Sequence, residues 1–306
     1  MKMKNSIPAM ILCFSLFGCS SVCAEKEITV SYLGPAGTYT EEAAQSFFVD
    51  GEKLNPKETV DAALEDVNAG DADYAVIPQE NTVGGAVVNY VDALIGAEDL
   101  FVVGEVILPI SQTLMGVPGA ELSDIKTVCS HAQGLTQSEK WRAENLPDAV
   151  TEEMDSTAAA ASYVAETGDK SIAAVAAPGA AALYGLEVLA KDVQITNDNK
   201  TRFYVLSHKL VDGSLSYIEE AGRVVFIVTC EANQIDDIIV SIHETGLEMV
   251  TLHDRPEGNE LGRYHYVIEA EDERGVTEEQ IEEVCKTDGV RFAGCFNTVV
   301  PDNTNS

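Results

Sequence analysis

Four short groups of polar residues could bind a small anion. They lie at residues 34–38, 79–82, 130–133 and 156–157, and each follows a predicted buried strand or opens a predicted helix. Free backbone N–H groups at a helix N-terminus favour anionic ligands, and hydroxyl and amide side chains can add hydrogen bonds. Helix capping alone is the simpler interpretation of any single group. Taken together, the groups predict a site for a small, polar, anionic ligand.

An alternation of short strands and helices would position these groups. Strands are predicted at residues 28–33, 74–78, 100–107, 125–129, 172–175 and 203–207. Helices are predicted from a capping box at residues 38–41 to residue 48, and at residues 87–95, 135–145, 158–166 and 178–184. This alternation is typical of an open α/β sheet, in which ligands bind beyond the carboxyl ends of the strands. If the strands are parallel, the four polar groups meet at one edge of the sheet.

The balance of charge restricts the function further. The chain has 306 residues, with 19 basic and 51 acidic side chains and a formal net charge of −32. Nucleic acid is excluded as a partner, because phosphate contacts need clustered lysine and arginine. The length predicts about two domains, and 45% hydrophobic residues suffice for a sizeable core. An anionic ligand would therefore need local positive potential, from an arginine or from helix N-termini.

The first 24 residues have the pattern of a secretory signal peptide. Lys2 and Lys4 precede an apolar run at residues 7–17, and residues 22–24 offer a small-residue cleavage site. Export to the periplasm or another extracytoplasmic space is therefore expected. Residues 16–19 also resemble a lipobox, so lipidation of Cys19 is an alternative, and membrane association is expected only in that case. A mis-called start codon would instead leave the protein in the cytoplasm.

The cysteines and histidines show no spacing that is typical of a metal site. Outside the leader the cysteines are Cys129, Cys230, Cys285 and Cys295, without the closely spaced pairs of zinc sites. Two disulfides are conceivable in an exported protein. The apolar neighbours of these cysteines favour buried free thiols instead. No metal is expected.

Five motifs, in order and spacing, resemble the prephenate dehydratase family. They are Gly-Pro-Ala-Gly-Thr-Tyr at 34–39, Pro-Gln-Glu-Asn-Thr at 78–82, Ser-His-Ala-Gln at 130–133 with Gln137, Leu-Tyr-Gly-Leu at 183–186 and Thr-Arg-Phe at 201–203. The resemblance covers about residues 27–207. It implies a type II periplasmic-binding-protein fold, with two α/β lobes and the site in their cleft. It also implies a carbon–oxygen lyase that converts prephenate to phenylpyruvate, water and carbon dioxide without metal or organic cofactor.

The resemblance assigns catalytic roles to five residues. Thr201 is expected to hydrogen-bond the leaving ring hydroxyl. Free threonine is too weak an acid to donate a full proton unaided, so a neighbour or the substrate's own carboxylate would share this role, and Glu80 is a candidate. Asn81, Ser130 and Gln137 are expected to orient the substrate by hydrogen bonds.

The same motifs suggest five residues that bind the substrate: Gly37, Thr38, Thr82, Arg202 and Phe203. Arg202 could hold a substrate carboxylate with two hydrogen bonds. A structural salt bridge is the alternative for Arg202, and a core position is the alternative for Phe203.

The chain from residue 223 to 300 has a different order of elements. Strands at 223–230, 249–252, 264–270 and 290–296, with helices around 235–242 and at 277–286, give the order βαββαβ of a ferredoxin-like fold. In this context the segment resembles an ACT domain, a regulatory module that binds amino acids at dimer interfaces. Residues 208–222 are the predicted linker. A homodimer or homotetramer is the expected assembly.

Two motifs of this segment bear on regulation by L-phenylalanine. Residues 253–256, His-Asp-Arg-Pro, resemble the Glu-Ser-Arg-Pro motif with which the family senses that amino acid. The family's Gly-Ala-Leu-Val motif falls on 233–236, where the residues are larger and one is charged. The regulatory candidates are Asn233, Gln234, Ile235, Asp254, Arg255 and Pro256. Both a working and a silent sensor remain open.

Two classes of function are compatible with the sequence. The first is an enzyme acting on prephenate, or on arogenate, which differs in one side-chain group. The second is a non-catalytic exported binding protein, since the lobes resemble solute-binding proteins. The intact motifs at 80–82 and 201–203 favour the enzyme. About nine residues separate the leader from Gly34, so a fused chorismate mutase domain is not expected.

Overall fold

The computed structural model describes residues 27–48, 52–83, 85–86, 88–196, 198–208 and 221–301. The predicted leader, with Cys19, and most of the predicted linker lie outside these residues. Within them, no helix is both long and apolar enough to cross a lipid bilayer. The four cysteines in the described part are free thiols.

Strands and helices alternate through the first two thirds of the chain. In order they are β1 (Thr29–Leu33), α1 (Tyr39–Phe47), β2 (Lys53–Lys57), α2 (Val60–Ala69), β3 (Tyr74–Asn81), β4 (Gly85–Ala86), α3 (Val88–Gly96), β5 (Phe101–Pro109), β6 (Thr113–Gly116), β7 (Thr127–Ser130), α4 (Ala132–Gln137), α5 (Glu139–Asn145), β8 (Val150–Glu153), α6 (Thr157–Thr167), β9 (Ile172–Ala176), α7 (Pro178–Tyr184), β10 (Glu187–Ala190) and β11 (Lys200–Ser207).

These strands form two lobes with the same topology. The first sheet has the order β2-β1-β3-β11-β5, and the second has the order β8-β7-β9-β6-β10. In each sheet the fourth strand is antiparallel to its neighbours, and it is the strand that arrives from the other lobe. Two crossovers therefore join the lobes, one at residues 110–112 and one whose described residues are 191–196 and 198–199. This is the two-lobed arrangement of periplasmic-binding-protein-like folds, so the expected fold class is confirmed.

Side-chain caps and glycines set the ends of several helices. Thr38, Thr59 and Ser156 precede α1, α2 and α6, and each hydroxyl accepts a hydrogen bond from a backbone N–H of the first turn. Gly168 and Gly185 end α6 and α7 with positive φ, a conformation that glycine adopts without steric penalty. The capping residues fix where the N-termini of α1 and α6 lie.

The C-terminal part is a four-stranded sheet with two helices on one face. Its elements are β12 (Arg223–Glu231), α8 (Ile235–Glu244), β13 (Glu248–Pro256), β14 (Arg263–Glu271), α9 (Glu278–Cys285) and β15 (Val290–Phe296). The last strand, β16 (Thr298–Val299), pairs with β5 of the first lobe. The strand order β13-β14-β12-β15, antiparallel throughout, is that of a ferredoxin-like fold.

The two faces of this sheet pack against different partners. Phe226 of β12 and Ile268 of β14 lie in a core with α8 and α9. The alternate residues of the same strands, Ile227 and Val267, share a core with Leu94 and other residues of the first lobe. At the junction, Gly294 of β15 pairs with β5. The C-terminal sheet is therefore packed directly on the first lobe.

The structure differs from the predicted elements at three edge strands, and also at helix α2 and the buried, central strand β6, which were not predicted either. β2, β8 and β10, which were not predicted, are edge strands with much exposed surface, so they lack a continuous apolar run. The helix predicted at 135–145 is two helices, α4 and α5, that meet at Ser138. Residues 79–81, expected after a strand, belong to β3 itself. This last difference changes the direction in which the side chains of β3 point.

Candidate active site

A cavity of about 750 Å³ lies between the two lobes. The first lobe contributes residues 33–35, 38–40 and 56–58 together with Tyr90. The second lobe contributes His131, Gln133 and residues 155–157 and 159. Three of the four polar groups found in the sequence thus line one cleft.

The fourth group does not line the cavity itself, but its Asn81, at the end of β3, contacts Gln133, which does. Asn81 and Thr201 lie opposite each other in the β3–β11 pair. The Asn81 Nδ2 donates a hydrogen bond to Thr201 Oγ1 at 2.9 Å. The Asn81 Oδ1 accepts one from Gln133 Nε2 of the second lobe at 3.4 Å. Because the amide donates to Thr201, the hydroxyl acts there as an acceptor, and its own proton can be donated to a ligand.

The crossover before β11 holds this pair in place. Asn199 is 2% exposed, and its Oδ1 accepts hydrogen bonds from Asn81 Nδ2 at 2.8 Å and from Thr82 Oγ1 at 3.3 Å. Thr82 Oγ1 also accepts a hydrogen bond from the Lys200 N–H at 2.9 Å. Thr82, expected to bind the substrate, therefore fastens the crossover. Sequence reasoning missed Asn199, whose position two residues before Thr201 was the available signal.

Glu80 and Arg202 face the other side of the same strands, since neighbouring side chains of a strand point to opposite faces. The Arg202 guanidinium donates to Glu105 Oε1 at 2.6 Å and to Glu80 Oε2 at 3.4 Å, and it also bonds Glu269 of the C-terminal part. Two expectations are corrected here. Glu80 does not lie beside the Thr201 hydroxyl, and Arg202 is saturated by three carboxylates, so it does not clamp the substrate.

The charge of Arg202 is retained in this environment. Burial opposes the charged form, but the carboxylates of Glu269 and Glu105 outweigh it and raise the pKa of Arg202 above its ordinary value. The arginine is therefore a permanent cation on the face away from the cleft.

Three further residues expected to contact the substrate are structural. The Ser130 hydroxyl is fully buried and donates to the Val175 carbonyl at 2.6 Å. The Gln137 Oε1 accepts a hydrogen bond at 2.9 Å from the Gln112 side chain in the first crossover. Phe203 is 2% exposed and lies in the core of the first lobe. Ser130 and Gln137 differ from expectation because each is hydrogen-bonded within the protein, whereas Phe203 takes the core position that was its alternative.

Gly37 and Thr38 lie where the two lobes touch beside the cleft. Thr38 lines the cavity and caps α1. Gly37 has φ +82, and a Cβ there would lie 2.9 Å from Leu183 Cδ2 of the second lobe. The neighbouring Tyr184 hydroxyl donates to the Ala36 carbonyl at 2.9 Å. The motif at 183–186 therefore forms a contact between lobes, and glycine at 37 permits it.

Positive potential in the cleft comes from a residue that sequence reasoning missed. Among the described residues that line the cavity, Lys57 at the end of β2 is the one lysine or arginine. Its Nζ lies 2.6 Å from Asp66 Oδ2. Although burial acts to raise the pKa of Asp66, hydrogen bonds from Lys57, Ser31 and Asn55 lower it below its ordinary value. Predicting β2 would have revealed Lys57, because the carboxyl end of β2 lies beside that of β1.

Two acids and two helix N-termini complete the cleft. Glu58 and Asp155 line it, together with Thr38 and Ser156, the caps of α1 and α6. Partial positive charge at the helix N-termini favours carboxylates. The cleft therefore offers both anion-binding and cation-binding groups within one small volume.

The regulatory candidates lie at one edge of the C-terminal sheet, at the ends of β12 and β13. They are Asn233, Gln234, Ile235, Asp254, Arg255 and Pro256. The Gln234 side chain accepts a hydrogen bond from the Glu231 N–H at 3.0 Å. Arg255 makes two hydrogen bonds, at 2.6 and 2.9 Å, to Asp92 on α3 of the first lobe. In this chain the arginine of the second motif therefore contacts the first lobe.

Known proteins are similar to this chain over most of its length. A sequence model of the prephenate dehydratase family matches residues 30–210. A prephenate dehydratase of Amycolatopsis methanolica is 35% identical over 87% of this chain and 88% of its own length. A bifunctional chorismate mutase/prephenate dehydratase of Neisseria gonorrhoeae is 32% identical over 83% of this chain and 69% of its own length.

A solved structure shows the same similarity in three dimensions. Prephenate dehydratase from Arthrobacter aurescens, in complex with L-Phe, is 32% identical and superposes with a TM-score of 0.78. The superposition covers 88% of this chain and 90% of that one. The likeness therefore extends beyond the two lobes into the C-terminal part.

Proposed function

The chain belongs to the prephenate dehydratase family and is a lyase that converts prephenate to phenylpyruvate, and we propose that Asn81 and Thr201 act on the leaving hydroxyl. The observation that carries this proposal is the 2.9 Å hydrogen bond from Asn81 Nδ2 to Thr201 Oγ1, beside Gln133 of the cleft wall. It orients the threonine so that its proton is available to a substrate oxygen.

The reaction needs little covalent work from the protein. The bond between the ring and its carboxylate breaks, carbon dioxide leaves, and the electron pair enters the ring as the C–O bond to the hydroxyl breaks. The hydroxyl oxygen keeps the electron pair of the C–O bond, takes up a proton from solvent and becomes water, and the ring becomes aromatic. A hydrogen bond from Thr201 would stabilise the negative charge that develops on the departing oxygen.

Binding the dianion is the second task, and we assign it to Lys57 and to the N-termini of α1 and α6. Lys57, which is paired with the single carboxylate of Asp66 and not with three, supplies a cationic group at the cavity wall, and the capped helix ends supply partial positive charge. Lys57 and these helix N-termini therefore take the role in substrate binding that was expected of Arg202. Because the surrounding surface is strongly acidic, a local site of this kind is needed to attract the substrate.

Phenylpyruvate formation from prephenate tests the role of Thr201. We expect Thr201→Ala to lower kcat about 100-fold or more, since removal of one oxyanion-stabilising donor has effects of this size. Thr201→Ser keeps the hydroxyl and should retain most of the activity. Equal kcat for the wild type and Thr201→Ala would contradict the proposed role, and prephenate binding without turnover in the wild type would support a binding protein instead.

Arogenate is a second candidate substrate, favoured by Glu58 and Asp155. Arogenate carries an ammonium group where prephenate carries a keto group, and these two carboxylates line the cleft. Comparing kcat/KM for both substrates decides the preference. If arogenate is used, Asp155→Asn should reduce its kcat/KM more than that of prephenate.

We further propose that the C-terminal part is an ACT domain that binds L-phenylalanine in a dimer or tetramer. Three observations support this: the ferredoxin-like strand order, the position of both motifs at one sheet edge, and the relative of known structure that binds L-Phe. Titration with L-phenylalanine should lower activity or change the mass measured by light scattering. No response in either measurement would indicate a silent sensor.

Export is proposed from the leader at residues 1–24. The charged start, apolar run and small-residue cleavage site support this location. Cell fractionation combined with the mass of the mature protein distinguishes the alternatives. Loss of the leader mass indicates cleavage, added lipid mass on Cys19 indicates an anchor, and an intact cytoplasmic chain contradicts export.

A further inference from the structure

A cluster of buried charges lies directly behind Thr201, where the first lobe meets the C-terminal part. We call Arg202, Glu105, Glu269, Arg223 and Tyr204 the junction cluster. Glu105 and Glu269 are fully buried, on β5 and on β14. The Arg223 Nη1 donates to Glu269 Oε1 at 2.5 Å, and the Tyr204 hydroxyl donates to Glu269 Oε2 at 2.7 Å. Arg202 bonds both carboxylates and so links the two parts of the molecule.

The junction cluster is complete only when the C-terminal sheet is packed on the first lobe. A buried charge is tolerated when it is paired, and removing one partner leaves an uncompensated charge. Glu269 comes from the C-terminal part, whereas Arg202 and Glu105 come from the first lobe. Undocking of the C-terminal part would therefore release Arg202 from one of its buried partners.

Arg202 is also placed to control the position of Thr201. The two residues are adjacent in β11 and point to opposite faces. The register between β3 and β11 shifts between Arg202 and Phe203, so the backbone ladder is irregular beside the threonine. On its other side β11 keeps a regular register with β5 from Lys200 to Val205. The side chain of Arg202, held by carboxylates on three strands, adds a side-chain attachment at this end of β11.

From this geometry we propose that Arg202 is a positioning residue that holds Thr201 against Asn81, and that Glu269 makes turnover depend on the docked C-terminal part. The inference rests on the proposed role of Thr201. It predicts that disturbing Glu269, which lies on the far side of the sheet from the cleft, slows the reaction without weakening substrate binding.

The test compares Glu269→Gln with Glu271→Gln in the full chain. Glu271 lies on the same strand, and its exposed carboxylate is 3.4 Å from Arg223. We expect Glu269→Gln to lower kcat about tenfold or more with KM within about twofold, since small misplacements of reacting groups have effects of this size. Glu271→Gln should change neither value by more than about twofold. An unchanged kcat in folded Glu269→Gln, or a change confined to KM, would overturn the proposal.

Two further variants keep the test decisive. Glu269→Asp retains the charge but has a shorter side chain that reaches less far toward Arg202, so it should also lower kcat. It replaces Glu269→Gln in the test if that variant fails to fold. When Thr201→Ala is added to Glu269→Gln or to Glu269→Asp, kcat should fall by a smaller factor than when Thr201→Ala is made in the wild type, because the hydroxyl is already displaced. If the effects of the Thr201 and Glu269 substitutions on kcat are instead fully additive, the inference is contradicted. If Thr201→Ala alone has no effect, the proposed function fails instead, and the two failures are thereby distinguished.

Discussion

The cleft and the junction cluster lie on opposite faces of β3 and β11, and their polar groups are arranged in opposite ways. On the cleft face, Asn81 and Thr201 are neutral, joined by a 2.9 Å hydrogen bond, beside a cavity of about 750 Å³. On the other face, Arg202 and its carboxylates are charged and shielded from solvent, and they pair with one another. The two arrangements are built from neighbouring residues of the same strands, Asn81 and Glu80 in β3 and Thr201 and Arg202 in β11.

This difference shows which groups can perform chemistry. Charged groups that satisfy one another within the protein fix the relative position of the domains, removal of one partner is costly, and they have little capacity left for a ligand. Neutral groups at the cleft retain hydrogen-bonding capacity and can respond to charge that develops during the reaction. Changes on the junction face should therefore alter stability as well as rate, and changes on the cleft face should alter rate with little effect on stability.

Removing Arg202 should give the largest effect. Arg202→Ala leaves Glu105 and Glu269 without one of their partners, and we expect the free energy of unfolding to fall by about 3–5 kcal/mol. Urea unfolding measures this loss. Arg263→Ala is the control, because Arg263 is 36% exposed and pairs with Glu257 at 2.7 Å, and its loss should stay below about 1 kcal/mol. If both variants lose the same free energy of unfolding, the junction cluster is no more important for stability than an exposed ion pair, and the prediction is wrong.

On the cleft face, Asn81→Asp should impair rate more than stability. The substitution preserves shape, but a carboxylate accepts the Thr201 proton that the amide leaves free for the substrate. We expect kcat to fall about 100-fold, while thermal unfolding shifts by only a few degrees. Asn68→Asp, on the exposed face of α2, controls for the added charge and should leave kcat unchanged. A kcat for Asn81→Asp close to that of the wild type would contradict the assigned donor.

Substitutions at two glycines distinguish the effect of contact between the lobes from the effect of backbone strain. Gly37 and Gly70 both have positive φ, but only at Gly37 would an added Cβ meet a neighbouring atom, Leu183 Cδ2. Each change to alanine should lower stability by about 1–2 kcal/mol. Gly37→Ala alone should raise KM for prephenate, by about fivefold, since closure of the cleft is hindered. A similar rise in Gly70→Ala would mean that general destabilisation, not lobe contact, sets KM.

Much of the fold could be predicted from the sequence, because central strands and amphipathic helices have strong apolar patterns. The strands around Val76, Val103 and Val175 were predicted from such runs, and the order of elements after residue 223 led to the correct C-terminal topology. β2 and β8 were missed because edge strands are half solvated and carry polar residues. The antiparallel crossing of β6 and β11 between lobes depends on long-range pairing that a local pattern does not contain.

The candidate site was predicted in outline, but the direction of its side chains was not. Treating Glu80 and Asn81 as loop residues placed both beside Thr201, whereas the strand alternation separates them. Arg202 was expected to bind the substrate because basic residues are few in this acidic chain. Its partner Glu269 lies 67 residues away in sequence, so their pairing could be found only from the fold.

The smallest predicted effect concerns Asp272, a carboxylate whose partners lie close in sequence, in contrast to those of Glu269. Hydrogen bonds from Arg274 and Gln280 lower the pKa of Asp272 to about 2, against about 3.9 in an unfolded chain. Since the folded pKa is the lower one, its contribution to stability is full above about pH 4 and is lost as the pH falls toward 2. The loss should be about 1 kcal/mol, because Arg274 is exposed and solvent screens the pair. Urea unfolding of the wild type and of Asp272→Asn at pH 6, 4 and 2.5 measures this, and the two stabilities should converge as the pH falls. A difference that stays constant over this range would show that Asp272 acts through packing or neutral hydrogen bonds and not through its charge.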